Sequence, residues 1–131
     1  MIVDIDGFKK VNDKHGHQKG DSVLVSVAGL LKSNLRISDV IGRYGGEEFL
    51  IYLSDVETGF INAIAEKLRR LVESETRGRI PVTVSPARRG GGSGGKIGKE
   101  IEEDLRELIR KADQNLYQAK AAGKNTVVVT A

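Results

Sequence analysis

The chain has 131 residues, a formal net charge of +3 and no cysteine. Its length suits one domain with its own core, and the lack of thiols excludes a disulfide framework and a cysteine-based zinc site. The mild positive charge suits anionic ligands such as nucleotides, but no basic stripe interleaved with aromatics accompanies it, so no nucleic acid partner is expected.

No charged leader and no apolar run approaching the roughly 18 residues of a membrane span are seen, so a cytoplasmic chain with no membrane segment is expected. Residues 1–6, Met-Ile-Val-Asp-Ile-Asp, read as a strand ending in acids. Asp4 and Asp6 are two apart and share one strand face. A carboxylate at the end of a buried strand is costly without a partner, and a hard cation such as magnesium is a natural one. The plainer role is capping of the next turn, weighed more heavily for Asp6 than for Asp4.

Residues 7–21 are dense in turn formers and read as a loop with a short helical turn around Phe8 to Asn12. Lys9 and Lys10 could meet phosphates, and Asn12 and Asp21 carry the groups a guanine edge requires. Each also has a plain role: solvated lysines, a turn asparagine, a capping aspartate. Asp21 stands just before a helical pattern and is expected to cap it. His15 and His17 flank Gly16 without a third nitrogen or sulfur ligand, so structural hydrogen bonding is favoured over a metal.

Val23, Leu24, Val27, Leu30, Leu31 and Leu35 follow helical spacing, which predicts a helix over Asp21–Leu35. Arg36-Ile37-Ser38-Asp39 is a polar turn. Val40-Ile41 and Leu50-Ile51-Tyr52-Leu53 are strand formers flanking Gly45-Gly46, which reads as a two-residue hairpin turn presenting Glu47 and Glu48 to solvent. Gly45 and Gly46 also leave room for a ligand to approach the backbone. A plain surface hairpin with solvated acids is the alternative.

A second amphipathic helix is predicted over Phe60–Ser74 and a short strand at Val82-Thr83-Val84, broken by Pro86. Residues 86–99 have no periodicity and read as a flexible Gly-rich loop, natural or an engineered linker. A long helix over 100–122, with Ile101, Leu105, Leu108, Ile109, Ala112, Leu116 and Ala119 as its apolar stripe, stops at Gly123. Asn125–Thr130 reads as a closing strand.

The element order predicts an α+β, ferredoxin-like (palm-type) βαββαβ core with an added C-terminal helix and strand, its central antiparallel sheet carrying packed helices. In such a fold β1 meets the hairpin, which brings Asp4 to Glu47. Two strand-borne carboxylates at one spot suggest magnesium and a nucleoside triphosphate, the geometry for attack of a 3′-hydroxyl on an α-phosphate.

Three stretches carry a resemblance. Asp4-Ile-Asp-Gly-Phe-Lys-Lys-Val-Asn12 continuing to Asp21, Arg43-Tyr-Gly-Gly-Glu-Glu-Phe49, and Ala112 to Asn125 resemble the GGDEF family of diguanylate cyclases in order and spacing. The resemblance implies condensation of two GTP into cyclic di-GMP and two pyrophosphates. It implies that Asp4, the carbonyl of Ile5 and Glu47 hold Mg2+ (or Mn2+), with Glu48 assisting a second ion. Glu47 would take the 3′-hydroxyl proton and Lys9 would stabilise the transition state. Phe8, Asn12, His17, Asp21, Gly45, Gly46, Lys120 and Lys124 would contact substrate; the family often has arginine where Lys124 stands. Arg36 and Asp39 match an inhibitory product site, Arg-x-x-Asp, the alternative being a surface ion pair.

The family's preceding helical segment, opened by Asp-x-Leu-Thr, is expected to be missing, and residues 1–131 are expected to form a single GGDEF domain that needs a homodimer for catalysis. Pro86-Ala87-Arg88-Arg89 is expected to interrupt a strand that the family continues. Three functions follow: a cyclase domain, a module that binds GTP or cyclic di-GMP without turnover, and a trimmed scaffold.

Overall fold

The computed structural model describes residues 1–89, 106, 110 and 114–130. Strand β1 (Ile2–Ile5) is the centre of a five-stranded sheet of order β2-β3-β1-β4-β5. Its neighbours are β3 (Glu48–Tyr52) and β4 (Val84–Arg89), both antiparallel to it. β2 (Val40–Arg43) pairs antiparallel with β3 at one edge, and β5 (Val128–Thr130) pairs parallel with β4 at the other. The four antiparallel strands form the predicted ferredoxin-like sheet, and β5 extends it.

All four residues of β1 are buried, as a central strand covered on both faces requires. Alternation sorts them. Val3 and Ile5 join one core with Phe8, Val27, Leu31, Leu68 and Val72. Ile2 faces the other way, against Ala87 and Leu116. By the same two-residue period Asp4 shares the Ile2 face. That parity decides which helix can reach it.

The first face is covered by α1 (Phe8–His15), α2 (His17–Ser33) and α3 (Thr58–Thr76). The second carries α4, helical over residues 114–121, whose Leu116 and Ala119 are buried. Buried Thr76 joins α3 to the approach of β4: its hydroxyl lies 2.7 Å from the Val72 carbonyl and 3.0 Å from that of Val82, and it accepts the Val82 N–H at 3.1 Å.

Several expectations need correction. Residues 7–21 are not a loop with one helical turn but two helices joined at Gly16, whose φ of 83° is the left-handed geometry glycine adopts cheaply. Consequently α2 starts at His17, and Asp21 lies inside it rather than capping it. The local pattern was ambiguous because Lys, Asp and His face solvent along α1 and the first turn of α2. The imidazoles of His15 and His17 are exposed and make no side-chain hydrogen bond among the described residues, against the structural bonding expected.

The hairpin loop has four residues, Tyr44–Glu47, not two. Tyr44 N–H and Gly45 N–H both reach the Glu48 carbonyl, at 2.8 and 3.3 Å, and neither glycine has positive φ. A Cβ on Gly45 would lie 2.6 Å from Glu48 Oε2, the end of a flexible side chain that can swing aside, so the glycine is not demanded by space.

Pro86 does not break its strand, and Pro86–Arg89 is not loop. Asp6 N–H donates to the Thr83 carbonyl at 2.9 Å, so alternate residues Thr83, Ser85 and Ala87 direct their backbone groups at β1. The missing N–H of Pro86 therefore points to the β5 side, where pairing starts only at Ala87. Residues 90–99 and the stripe positions Ile101, Leu105, Leu108, Ile109 and Ala112 lie outside the described residues.

Candidate active site

The strand parity that buries Ile2 against α4 also turns Asp4 and Asp6 toward that helix, and Lys120 of α4 meets both. Its Nζ donates to Asp4 Oδ1 and, at 2.7 Å, to Asp6 Oδ1. The Asp6 side chain is 5% exposed and fully engaged. Oδ1 also accepts from Ser85 Oγ at 2.8 Å, while Oδ2 accepts from Thr83 Oγ1 at 2.8 Å and Asn125 N–H at 3.0 Å. Asp6 caps nothing: the residue preceding α1 is Gly7, without a side-chain cap.

The two carboxylates respond oppositely to this setting. Burial raises the Asp4 pKa; the Lys120 bond and charge only partly offset it, and the charges of Glu47 and Asp6 add to the rise. Burial also acts on Asp6, but bonds from Lys120, Ser85, Thr83 and Asn125 outweigh it and leave its pKa below the ordinary value. Lys120 loses solvation as well, yet its bonds to Asp4 and Asp6 raise its pKa, so it stays protonated.

Glu47 and Glu48 arrive from the hairpin. Ile5 N–H donates to the Glu47 carbonyl at 3.1 Å, and Asp4 pairs in register with Glu48. The Ile5–Glu47 bond makes Asp4–Glu48 a non-hydrogen-bonded pair, the closer kind of cross-strand pair, while the charge felt by Asp4 from the hairpin is that of Glu47. The Glu47 carboxylate makes no hydrogen bond among the described residues. Arg43 braces the tip, donating from Nε to the Gly45 and Gly46 carbonyls (3.2 Å each) and from Nη2 to Gly46 O (2.8 Å). Among the described residues no three His, Asp or Glu side chains converge closely enough to hold a metal unaided.

Asn12 lies where α1 and α2 touch. Its Oδ1 is the one buried side-chain polar atom without a partner among the described residues. A Cβ on Gly20 would stand 1.8 Å from it, so only glycine admits this placement. Asp21 follows Gly20 and is exposed, as are Lys9, His17 and Lys124. The Phe8 ring is buried in the core, leaving its backbone for a ligand.

Arg36 sits elsewhere, on a cleft of ≈ 410 Å³ with Asp55, Glu57, Phe60 and Lys67. Asp39 is not its ion-pair partner. Its carboxylate accepts from the Arg36 N–H at 2.9 Å and the Ser54 N–H at 3.0 Å, tying the turn to the end of β3. Sequence reasoning missed Asp6 as a hub, the hydroxyls of Thr83 and Ser85, and the contact of Gly20 with Asn12. The first three share the Asp4 face by strand parity, a signal that was present once β4 was known to continue.

A βαββαβ sheet with acids at the end of its central strand, facing a Gly-Gly-Glu-Glu hairpin and a helix-borne lysine, defines the class of nucleotide-handling palm-like domains. The family described as "Diguanylate cyclase, GGDEF domain" matches residues 1–126, and the chain belongs to it. It is 41% identical over 129 residues to the probable diguanylate cyclase DgcT of Escherichia coli (strain K12), covering 98% of this chain and 28% of that one. The active GGEEF domain of a diguanylate cyclase from Vibrio cholerae superposes with a TM-score of 0.83 at 31% identity, covering 98% of this chain and 79% of that one. The GGDEF domain of DgcB from Caulobacter crescentus, in complex with c-di-GMP, gives 0.82 at 29% identity, with 98% and 74% covered. The chain spans 21–34% of the length of curated relatives it matches. Among the described residues no helix is long and apolar enough to cross a membrane.

Proposed function

We propose that this chain acts as a single cytoplasmic catalytic domain that condenses two GTP into cyclic di-GMP and two pyrophosphates, two facing copies each holding one GTP. One observation carries the reading: Asp4, Asp6 and Lys120 meet beside the Gly-Gly-Glu-Glu hairpin, the part of the sheet where the family's motifs fall.

The donors suit Mg2+ or Mn2+. Asp4, the Ile5 carbonyl and Glu47, with Glu48 beside a second ion, are hard oxygen ligands, and the repulsion of Asp4 by Glu47 and Asp6 favours a cation. When bound, the ion would polarise the α-phosphate and offset developing charge. Glu47, on the braced tip, receives the 3′-hydroxyl proton. Lys9, at the first turn of α1, stabilises charge in the transition state. Asn12 and Asp21 read the guanine, His17 flanks it, and the Phe8 backbone and Gly45-Gly46 allow close approach of the phosphates. Lys124 and Lys120 hold the triphosphate, Lys120 releasing Asp4 as it does so.

Product feedback is assigned to the Arg36 cleft. Its guanidinium suits a phosphate or a guanine edge bidentately. Asp39 acts there by holding the turn that carries Arg36.

A module that binds nucleotide without turnover is favoured by one observation, that Lys120 already occupies the Asp4 oxygen a metal needs. Incubation with GTP and magnesium at two protein concentrations, read by chromatography, separates the readings. Cyclic di-GMP rising faster than linearly with protein is expected. Nucleotide binding without product would establish the second reading, and neither binding nor product would overturn both.

A further inference from the structure

The residue after Lys124 is held from two sides. Asn125 N–H donates to Asp6 Oδ2 at 3.0 Å, and Asn125 Oδ1 accepts from Arg69 Nη1 at 2.6 Å. Arg69 lies on α3, a helix to which the sequence assigned no site residue. Its guanidinium is fixed before it meets Asn125. Nε and Nη2 donate to the two Glu66 carboxylate oxygens, both at 2.9 Å, and Nη1 donates to Glu73 Oε2, also at 2.9 Å. The Arg69 side chain is only 13% exposed.

The backbone explains why such a clamp is needed. α4 ends at Gly123, φ 103°, with Lys124 N–H returning to the Ala119 carbonyl at 3.0 Å, the usual glycine stop. Two further left-handed residues then follow: Lys124 at φ 65° and Asn125 at φ 45°. A non-glycine residue adopts this strained backbone only where its surroundings impose it. Here they do so through the Schellman-type bond, the Asp6 bond, the Arg69 bond and a longer one, 3.4 Å, from Asn125 Nδ2 to Glu73 Oε2. Asp6 in turn holds Lys120.

We infer that Arg69 is a positioning residue for nucleotide binding: through Asn125 it sets the pose of Lys124 and steadies the Asp6–Lys120 pair, while touching no substrate itself. The inference rests on the proposed role of the two lysines at the triphosphate. Arginine is required because one planar fork must serve Glu66, Glu73 and Asn125 together, which a lysine ammonium cannot do.

The test combines GTP binding by calorimetry with amide hydrogen exchange at Asn125, on wild type, Arg69→Met, Asn125→Gly and the double variant. Asn125→Gly keeps the N–H and tolerates the left-handed backbone but lacks the carboxamide that meets Arg69 and Glu73. Each single variant is expected to bind GTP about tenfold more weakly, roughly the effect of one hydrogen bond, and the double variant no more weakly than either. Exchange at Asn125 should quicken in Arg69→Met. Wild-type affinity in Arg69→Met with only a lower melting temperature, or additive losses in the double variant, would overturn the inference. Should Arg69→Met fail to fold, Arg69→Lys keeps the charge, loses the fork and decides the matter on the same readouts. A wild-type chain that binds no GTP sinks the functional reading. An Asn125 amide whose exchange is unmoved in Arg69→Met sinks the clamp, whatever GTP does.

Discussion

The interior corner around Asp6 and the hairpin tip around Glu47 lie on either side of Asp4, and they are built on opposite plans. At the corner both carboxylate oxygens of Asp6 receive two bonds each, from two hydroxyls, an ammonium and a backbone N–H. At the tip the backbone is braced by Arg43, while the Glu47 carboxylate is left without a hydrogen bond among the described residues. One region is finished from within. The other offers acceptors to something outside. Asp4 belongs to both, since it touches Lys120 and its pKa is raised in part by Glu47. A carboxylate whose burial is only partly compensated by the protein is one that an added cation would stabilise.

The largest effect should come from the open side. Glu47→Ala is expected to lower cyclic di-GMP formation by about 10³-fold or more, the range for a lost proton acceptor and electrostatic ligand. Product affinity at the Arg36 cleft should stay unchanged, since the two regions share no residue. Chromatography of the reaction and calorimetry with cyclic di-GMP check both halves; a variant that still turns over GTP at the wild-type rate removes Glu47 from the mechanism. The closed side should fail differently. Asp6→Asn leaves Lys120 with a weaker partner and the hydroxyls of Thr83 and Ser85 with a poorer acceptor. A stability loss of about 2–3 kcal/mol is expected in urea unfolding, the scale of a charge-assisted bond lost in a mostly buried place.

What could be read in advance follows the same division. The open side was legible because glycine and acid patterns at a turn are local: Gly45, Gly46, Glu47 and Glu48 advertise themselves along the chain. The meeting of Asp4 with the hairpin followed from topology alone. The closed side was not legible because its partners lie far apart in sequence and each looks ordinary. Thr83 read as a strand residue, Ser85 as the position just past that strand, Asn125 as the start of the closing strand, and Arg69 as one charge on an amphipathic helix. The strand through Pro86 was missed for a related reason. Whether proline breaks a strand depends on which neighbour its nitrogen faces, and that is a property of the sheet, not of the segment. Likewise the two helices around Gly16 were hidden because both expose polar side chains and only packing distinguishes them from a loop.

Gly20→Ala sharpens the comparison by separating stability from binding. The added methyl would take the space of Asn12 Oδ1, 1.8 Å from the new Cβ. The whole Asn12 carboxamide must turn, since its Cγ would lie 2.9 Å from the new Cβ, and the buried Phe8 ring, 3.3 Å away, must give slightly; the oxygen itself has no partner to lose. Alanine also favours the helix over glycine by about 0.5–1 kcal/mol. The two effects offset, so the variant is expected to melt close to the wild-type temperature while binding GTP about tenfold more weakly, because Asn12 is turned away. Loss of both together would mean that Gly20 serves the core and not the guanine contact.

Acidity tests the corner in a further way, with opposite signs for its two carboxylates. Asp6 has a folded pKa below the ordinary 3.8, so its stabilisation is full above 3.8 and is lost as pH falls through the folded value. Asp4 has a raised pKa, so its charge opposes folding at neutral pH and its protonation in acid is a relief. Lys120 stabilises fully below its ordinary 10.5 and is lost only as pH rises through its raised folded value. Thermal melts across pH should thus show an acid fall below about 3.8 that is blunted in Asp6→Asn. The alkaline fall should shrink in Lys120→Met. An acid limb unaffected by Asp6→Asn would place the titrating group elsewhere.

The smallest effect on stability belongs to the tip. Arg43 is exposed, and its bonds to the Gly45 and Gly46 carbonyls compete with water. Arg43→Ala should cost about 0.5 kcal/mol or less in unfolding experiments, as exposed bonds do. Its effect on rate should be larger than that figure suggests. The tip carries Glu47, and a displacement of even about 1 Å of a catalytic group slows a reaction many-fold. A near-normal melting temperature with a several-fold drop in turnover, and with GTP affinity kept, is the expected pattern. It would mean that the tip is braced for geometry and left unbonded for chemistry, whereas equal losses in stability and rate would make Arg43 an ordinary structural residue.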